Sequence, residues 1–255
     1  MNFLAAIGFL TSIPVGRRSM EGRSLAGCAV YFPLVGLLLG FLLAGIDYGL
    51  GRVLPDLLTS AITVALLLLL TGALHFEGFV DACDGLFGGH TRERRLEIMR
   101  VKNVGAYAVA GGALLLILKF ATISSLNHEW ERFWIIVIFP MLSRWGMALA
   151  LAAFPYARAQ GLGTAFRGVK IEFVVIAAAV TLIFAGVFAG LAGALLFALA
   201  TLLAVLAGLW VTKLLGGLTG DIYGAINELS EVVILIAAAG ILHYLSIEPV
   251  WLVLS

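Results

Sequence analysis

Seven apolar runs dominate this 255-residue chain, at about residues 26–46, 57–74, 104–126, 133–153, 173–190, 194–212 and 232–253. Each approaches the ~20 residues an α-helix needs to cross the hydrocarbon core of a bilayer. Seven such helices take about 140 residues and leave about 115 for connections and termini. Composition agrees, with 62% of residues hydrophobic and 12% charged, where a soluble domain carries about 25% charge. A soluble fold of this size has no interior for so much apolar surface, and a disordered chain or a disulfide scaffold is excluded as well. The expected fold class is all-α: a multi-pass membrane helical bundle of about seven transmembrane helices, one domain over residues 1–255, in contact with membrane lipid.

Residues 1–14 are apolar but too short to span. Their cations, Arg17 and Arg18, follow the apolar stretch, whereas a secretory signal carries them in front. A short interfacial or re-entrant N-terminal segment is expected. Runs five and six are joined only by residues 191–193, which predicts a tight helical hairpin. The pairs Gly36/Gly40 and Gly186/Gly190 have the small-xxx-small spacing that lets helices approach closely. Cys28 and Cys83 read as free thiols. The net charge of +1 offers no field for nucleic acid.

The cations set the orientation. Arg17, Arg18 and Arg23, then Arg92, Arg94, Arg95, Arg100 and Lys102, then Arg158, Arg167 and Lys170, then Lys213 fall in alternate connections: 12 of the 16 lysines and arginines. The opposite connections hold only Arg52 and Arg132, and Lys119 and Arg144 lie inside spans. Positive loops stay in the cytoplasm, so the N-terminus is expected inside.

Three connections on that side carry chemistry. In residues 74–90, LHFEGFVDACDGLFGGH, Glu77, Asp81 and Asp84 recur at i, i+4 and i+7 and share a helical face. Three carboxylates on one face repel unless a cation sits among them, and hard oxygen ligands suit Mg²⁺. Gly85, Gly88 and Gly89 follow and would let backbone approach a ligand. His75 could act as a base or orient one, although an ideal helix turns it away from the carboxylates. In residues 154–168, Arg158 and Arg167 among glycines that include Gly163 could clamp a phosphate, which the guanidinium fork binds through two oxygens. In residues 216–231, GGLTGDIYGAINELSE, Gly220 and Asp221 lead into Asn227, Glu228 and Glu231 at the mouth of the seventh run. Ionisable groups entering a span are functional candidates by default. Two acidic clusters and Arg/Gly loops on one face are what metal-assisted phosphoryl transfer needs. No Walker motif or Cys/His zinc spacing is present.

Four stretches carry a family resemblance: HFEGFVDACDG at 75–85, RERRLEIMR at 92–100, PYARAQGLG at 155–163 and GLTGDIYGAINELSE at 217–231. They resemble the cobalamin synthase (adenosylcobinamide-GDP ribazoletransferase) family, and FLTSIPV at 9–15 is similar to its N-terminal segment. The resemblance implies a Mg²⁺-dependent enzyme of the prokaryotic cytoplasmic (inner) membrane. It would join adenosylcobinamide-GDP to α-ribazole, or its 5′-phosphate, and release GMP, with the site facing the cytoplasm. Asp81, Asp84 and Gly85 match the family's acidic motif, and Asp221, Asn227 and Glu228 its later one. On this reading Glu77, Asp81, Asp84 and Asp221 hold Mg²⁺, and Asp84, His75 and Glu228 are the catalytic candidates. Arg158, Arg167, Gly85, Gly89, Gly163, Gly220, Asn227 and Lys102 bind substrate. Glu77 stands where the pattern has Asp. Asn103 stands where it has Arg, leaving Lys102 as the substitute cation. CDP-alcohol phosphotransferases share the DxxDG element, and a secondary transporter also places charge in spans, so both stay open here, as does a homo-oligomer.

Overall fold

The computed structural model describes residues 2–15, 25–101, 103–126 and 129–244. Lys102, the cations at 17, 18 and 23, and the end of the seventh run lie outside the described residues. Among those described, the regular elements are helical: α1 (Asn2–Leu10), α2 (Phe32–Gly51), α3 (Asp56–Leu70), α4 (Leu74–Gly88), α5 (Arg92–Ile98), α6 (Ala106–Ser125), α7 (Glu129–Ala153), α8 (Ile171–Leu215) and α9 (Gly220–Tyr244), with 3₁₀ turns at Ala26–Tyr31 and Leu162–Phe166. Five helical stretches are long and apolar enough to cross a membrane, or six if α3 and α4 count as one bent span. The chain is thus an all-helical, multi-pass membrane bundle.

Helix α7 is its axis. Ile135, Ile136, Val137, Ile138 and Phe139 are wholly buried around the full turn of the helix, the pattern of a helix surrounded by others. The Gly36/Gly40 expectation holds: a Cβ at either would overlap the α7 backbone, at Pro140 and Val137 respectively. The second glycine pair behaves differently. Gly186 faces open space, and Gly190 adopts φ 54° and ψ −136° at a break in α8, a conformation open to glycine alone. A Cβ at Gly193 would strike the Ala185 carbonyl oxygen. Residues eight apart lie about 12 Å apart along a continuous helix. The chain therefore folds back here, as expected for the hairpin.

The second apolar run also departs from a straight span. Helix α3 has 15 residues, about 22 Å, short of a ~30 Å hydrocarbon core. Gly72 (φ 58°) and Ala73 (φ 53°) then take successive left-handed conformations, and α4 leaves at 90° to α3. The segment expected to be a connection is thus a helix packed against α6 and α9. Helix α1 is nine residues long, too short to span. It buries Ala5, Ala6 and Leu10, and Ser12 N–H donates to the Leu70 carbonyl at 2.7 Å.

The end of the bundle away from α5 is held by one ion pair. Arg132, expected in a connection, is a buried residue of α7. Its Nε and Nη2 each donate to a different Asp47 oxygen at 2.7 Å, its Nη1 to the Ile123 carbonyl at 2.7 Å, and Nη2 also to Ser60 Oγ at 3.0 Å. One guanidinium thus ties α2, α3, α6 and α7. Removing one member of a buried pair costs about 3–5 kcal/mol. Asp47→Ala is therefore expected to lower thermal stability in detergent by that order, and an unchanged unfolding midpoint would refute this role.

Candidate active site

Two glycines bring α4 and α9 together. A Cβ at Gly78 would lie 2.9 Å from the Asp221 carbonyl oxygen, and one at Gly224 would lie 2.9 Å from that of His75. The helices touch backbone to backbone, and the residues flanking each glycine are set beside the other helix. Glu77 and Asp81 from α4 and Asp221 from α9 consequently line one cavity of about 190 Å³, together with His75, Gly163 and Gly220. Its opposite wall is apolar, with Phe9, Phe32, Phe166, Met147 and Tyr223.

The second and third connections are pinned at the same place. Leu218 N–H donates to the Pro155 carbonyl and Ala157 N–H to the Leu218 carbonyl, each at 2.8 Å, a short parallel bridge. This sets Arg158 Nη2 2.9 Å from Asp221 Oδ2. Thr219 Oγ1 donates to the same oxygen at 3.2 Å. Asp81 lies in the field of Asp221, Glu77 and Asp84, with Arg158 the opposing charge.

The cavity therefore carries three carboxylates against one guanidinium, and Glu77, Asp81 and Asp221 are the groups that could hold a divalent cation. Among the described residues no three His, Cys, Asp or Glu stand close enough to form a protein-only cage. An ion here would take one or two carboxylates and complete its shell with water and substrate oxygens, the habit of Mg²⁺ rather than of Ca²⁺ or Zn²⁺. His75 is 2% exposed, and among the described residues neither ring nitrogen has a hydrogen-bond partner. It lines the floor of the cavity despite the helical phase that turned it away.

Other expected residues lie elsewhere. Asp84 accepts from Gly105 N–H at 2.5 Å and Ala108 N–H at 2.8 Å, so it caps the start of α6 from 21 residues away. Gly85 and Gly89 face Met99 and Arg95 of the chain itself. Arg167 is exposed over the Tyr156 ring, outside the acidic cavity. Asn227 and Glu228 belong to a separate buried network. Lys119 Nζ donates to Glu228 Oε2 at 2.6 Å and to Glu231; Arg144 Nη1 donates to Glu231; Asn227 Nδ2 donates to Glu231 Oε1 at 3.1 Å. Two cations and two carboxylates balance with under 4% exposure each. His75 lies in the field of Arg144, Glu231 and Lys119, between network and cavity.

These features define a class: a multi-pass helical membrane protein with an acid-lined cavity, one of whose carboxylates is paired with an arginine. The family follows from comparison with known proteins. The chain belongs to the cobalamin-5-phosphate synthase family, whose model matches residues 2–239. Relatives named adenosylcobinamide-GDP ribazoletransferase occur in Geotalea daltonii, 37% identical over 94% of this chain and 97% of its own. One in Desulfitobacterium hafniense is 37% identical over 93% and 96%, and one in Desulforamulus reducens 35% over 89% and 91%. No solved structure matches the chain.

The geometry separates two kinds of acid. Glu231→Gln leaves Lys119 and Arg144 sharing one carboxylate in the core, so a loss of about 3 kcal/mol or more is expected. Asp81→Asn removes like-charge repulsion and should leave the melting temperature unchanged or raised. Equal melting of the two variants in detergent would show that the division is wrong.

Proposed function

We propose that the chain is an adenosylcobinamide-GDP ribazoletransferase, joining adenosylcobinamide-GDP to α-ribazole or its 5′-phosphate with release of GMP. Family membership over nearly the whole chain supplies the substrates. The observation that carries the chemistry is the convergence of Glu77, Asp81 and Asp221 on one cavity, with Arg158 paired to Asp221. A ribazole hydroxyl attacks the phosphorus joined to cobinamide, the bond to the GMP oxygen breaks, and GMP departs with the electron pair. A cavity carboxylate outside the ion pair, Asp81 or Glu77, accepts the hydroxyl proton. Arg158 holds Asp221 in place and adds positive charge where the phosphoryl oxygens gather. The apolar wall keeps bulk water, the competing nucleophile, from the reacting phosphorus. One or two of Glu77, Asp81 and Asp221 would hold Mg²⁺, which would supply charge neutralisation at the pyrophosphate. Asp84 and Glu228 support this site through the α6 cap and the buried network, without touching substrate.

The reading extends to the membrane. The α8 hairpin counted as two passages and α3–α4 as one make seven crossings, and the loop cations support a topology with the N-terminus and the cavity on the cytoplasmic side of the inner membrane. His90 is exposed at the cavity end and Leu191 is 78% exposed at the hairpin tip. His90→Cys should react only with a reagent supplied from the cytoplasm and Leu191→Cys only from outside. The native Cys28 and Cys83 are buried and should give little background. Reversed labelling would overturn the orientation.

The chemical test is GMP release against Mg²⁺ concentration. Asp81→Asn and Asp221→Asn should each lower turnover at least a hundredfold and shift the Mg²⁺ requirement upward, because a neutral amide oxygen does not replace the lost charge. Wild-type rates and Mg²⁺ dependence in both variants would remove these residues from the site.

A further inference from the structure

A second cavity, of about 270 Å³, shares Leu151, Gly163, Phe166 and Tyr223 with the acidic one. Its remaining lining has the opposite electrical character: no carboxylate faces it, and Arg167 is its one charged residue among those described. Two rings stand at its edge. Tyr156 and Tyr223 are 13° from parallel with centroids 6.5 Å apart, close to twice the ~3.5 Å contact distance of stacked carbon atoms. The Arg167 guanidinium lies 5.9 Å from the Tyr156 ring centroid.

The arginine has capacity to spare. Among the described residues its side chain has one hydrogen bond, from Nη2 to the Arg158 carbonyl at 3.1 Å, and a guanidinium carries five N–H donors. That bond also matters in itself. It fixes the backbone of Arg158, whose side chain holds Asp221 in the neighbouring cavity. The two cavities are therefore joined by a shared apolar wall and by the relay Arg167, Arg158, Asp221.

We infer that this second cavity seats a planar heteroaromatic ring bearing a phosphate, with the ring against Tyr156 and Tyr223 and the phosphate on Arg167. The inference rests on the proposed function and deepens it. A transfer between two phosphate-bearing molecules needs two adjoining seats, and an acid-lined cavity repels an anion that brings no cation with it. A cavity with π-faces and one cation complements such a ring and its phosphate directly. Two sources share that chemistry: the ribazole phosphate acceptor and the guanine nucleotide half of the donor.

The test uses the full-length protein in detergent and measures equilibrium binding of GMP and of α-ribazole 5′-phosphate separately, with no turnover required. Arg167→Gln removes the cation, and Val169→Phe fills the cavity from a residue of its wall. Each variant should weaken one of the two ligands about tenfold or more, the scale of one or two charge-assisted hydrogen bonds. Weakened α-ribazole 5′-phosphate with unchanged GMP assigns the seat to the acceptor, and the reverse assigns it to the donor nucleotide. If wild type binds both ligands and neither variant alters either affinity, the seat is overturned while the proposed function stands. Wild-type protein that releases no GMP from adenosylcobinamide-GDP overturns the proposed function instead.

Discussion

Charge enclosed in an apolar bundle is the constraint on which this structure depends. Lys119 and Arg144 sit deep in apolar helices of the bundle, and a charged side chain at bilayer depth costs about 2.5–3.5 kcal/mol even on the most lenient scale. Glu231 answers both cations, and Glu228 shares Lys119. That pairing fixes the rotation of α9 against α6 and α7. Once α9 cannot rotate, Asp221 must point where it does, seven residues before Glu228 on the same face. The buried network thus acts as the foundation of the cavity.

Close backbone contact is the second device. Salt bridges set which faces meet, and Gly78 with Gly224 sets how near they come. Even a methyl group at these positions would force the two backbones apart, because its Cβ would lie 2.9 Å from a carbonyl oxygen of the other helix. This spacing decides whether Asp81 and Asp221 line one cavity or two separate surfaces.

Much of the architecture was legible because hydrophobic run length and loop charge are local quantities. The hairpin at 191–193 and the gathering of three segments follow from them, and the Gly36/Gly40 contact follows from its small-xxx-small spacing. The bend at Gly72–Ala73 was not legible, since it breaks an apolar run with no proline and no charged residue. Nor was the role of Asp84. Its i, i+7 phase with Glu77 marks a shared face, but its partners are backbone amides of a helix that begins without a capping side chain of its own at Gly105. That missing cap was the one available sign that some distant group had to serve. Glu228 was grouped with Asp221 by the same periodicity. Only the depth of Lys119 and Arg144 within their runs, charges with no partner nearby in sequence, pointed to a second purpose. Tyr223, Phe9 and Phe166 gave no signal, because aromatic residues in apolar segments are unremarkable until packing is known.

The order in which the chain is made gives the buried network a further consequence. Membrane helices leave the ribosome from the N-terminus onward, so α6 and α7 are synthesised before α9. Until Glu228 and Glu231 arrive, Lys119 and Arg144 are two uncompensated cations within nascent apolar segments. Those helices are held back from full burial in lipid until the last one joins them, and its arrival neutralises the core and completes the cavity in one event. A chain stalled short of α9 lacks both the carboxylates that balance Lys119 and Arg144 and the Asp221 that completes the cavity.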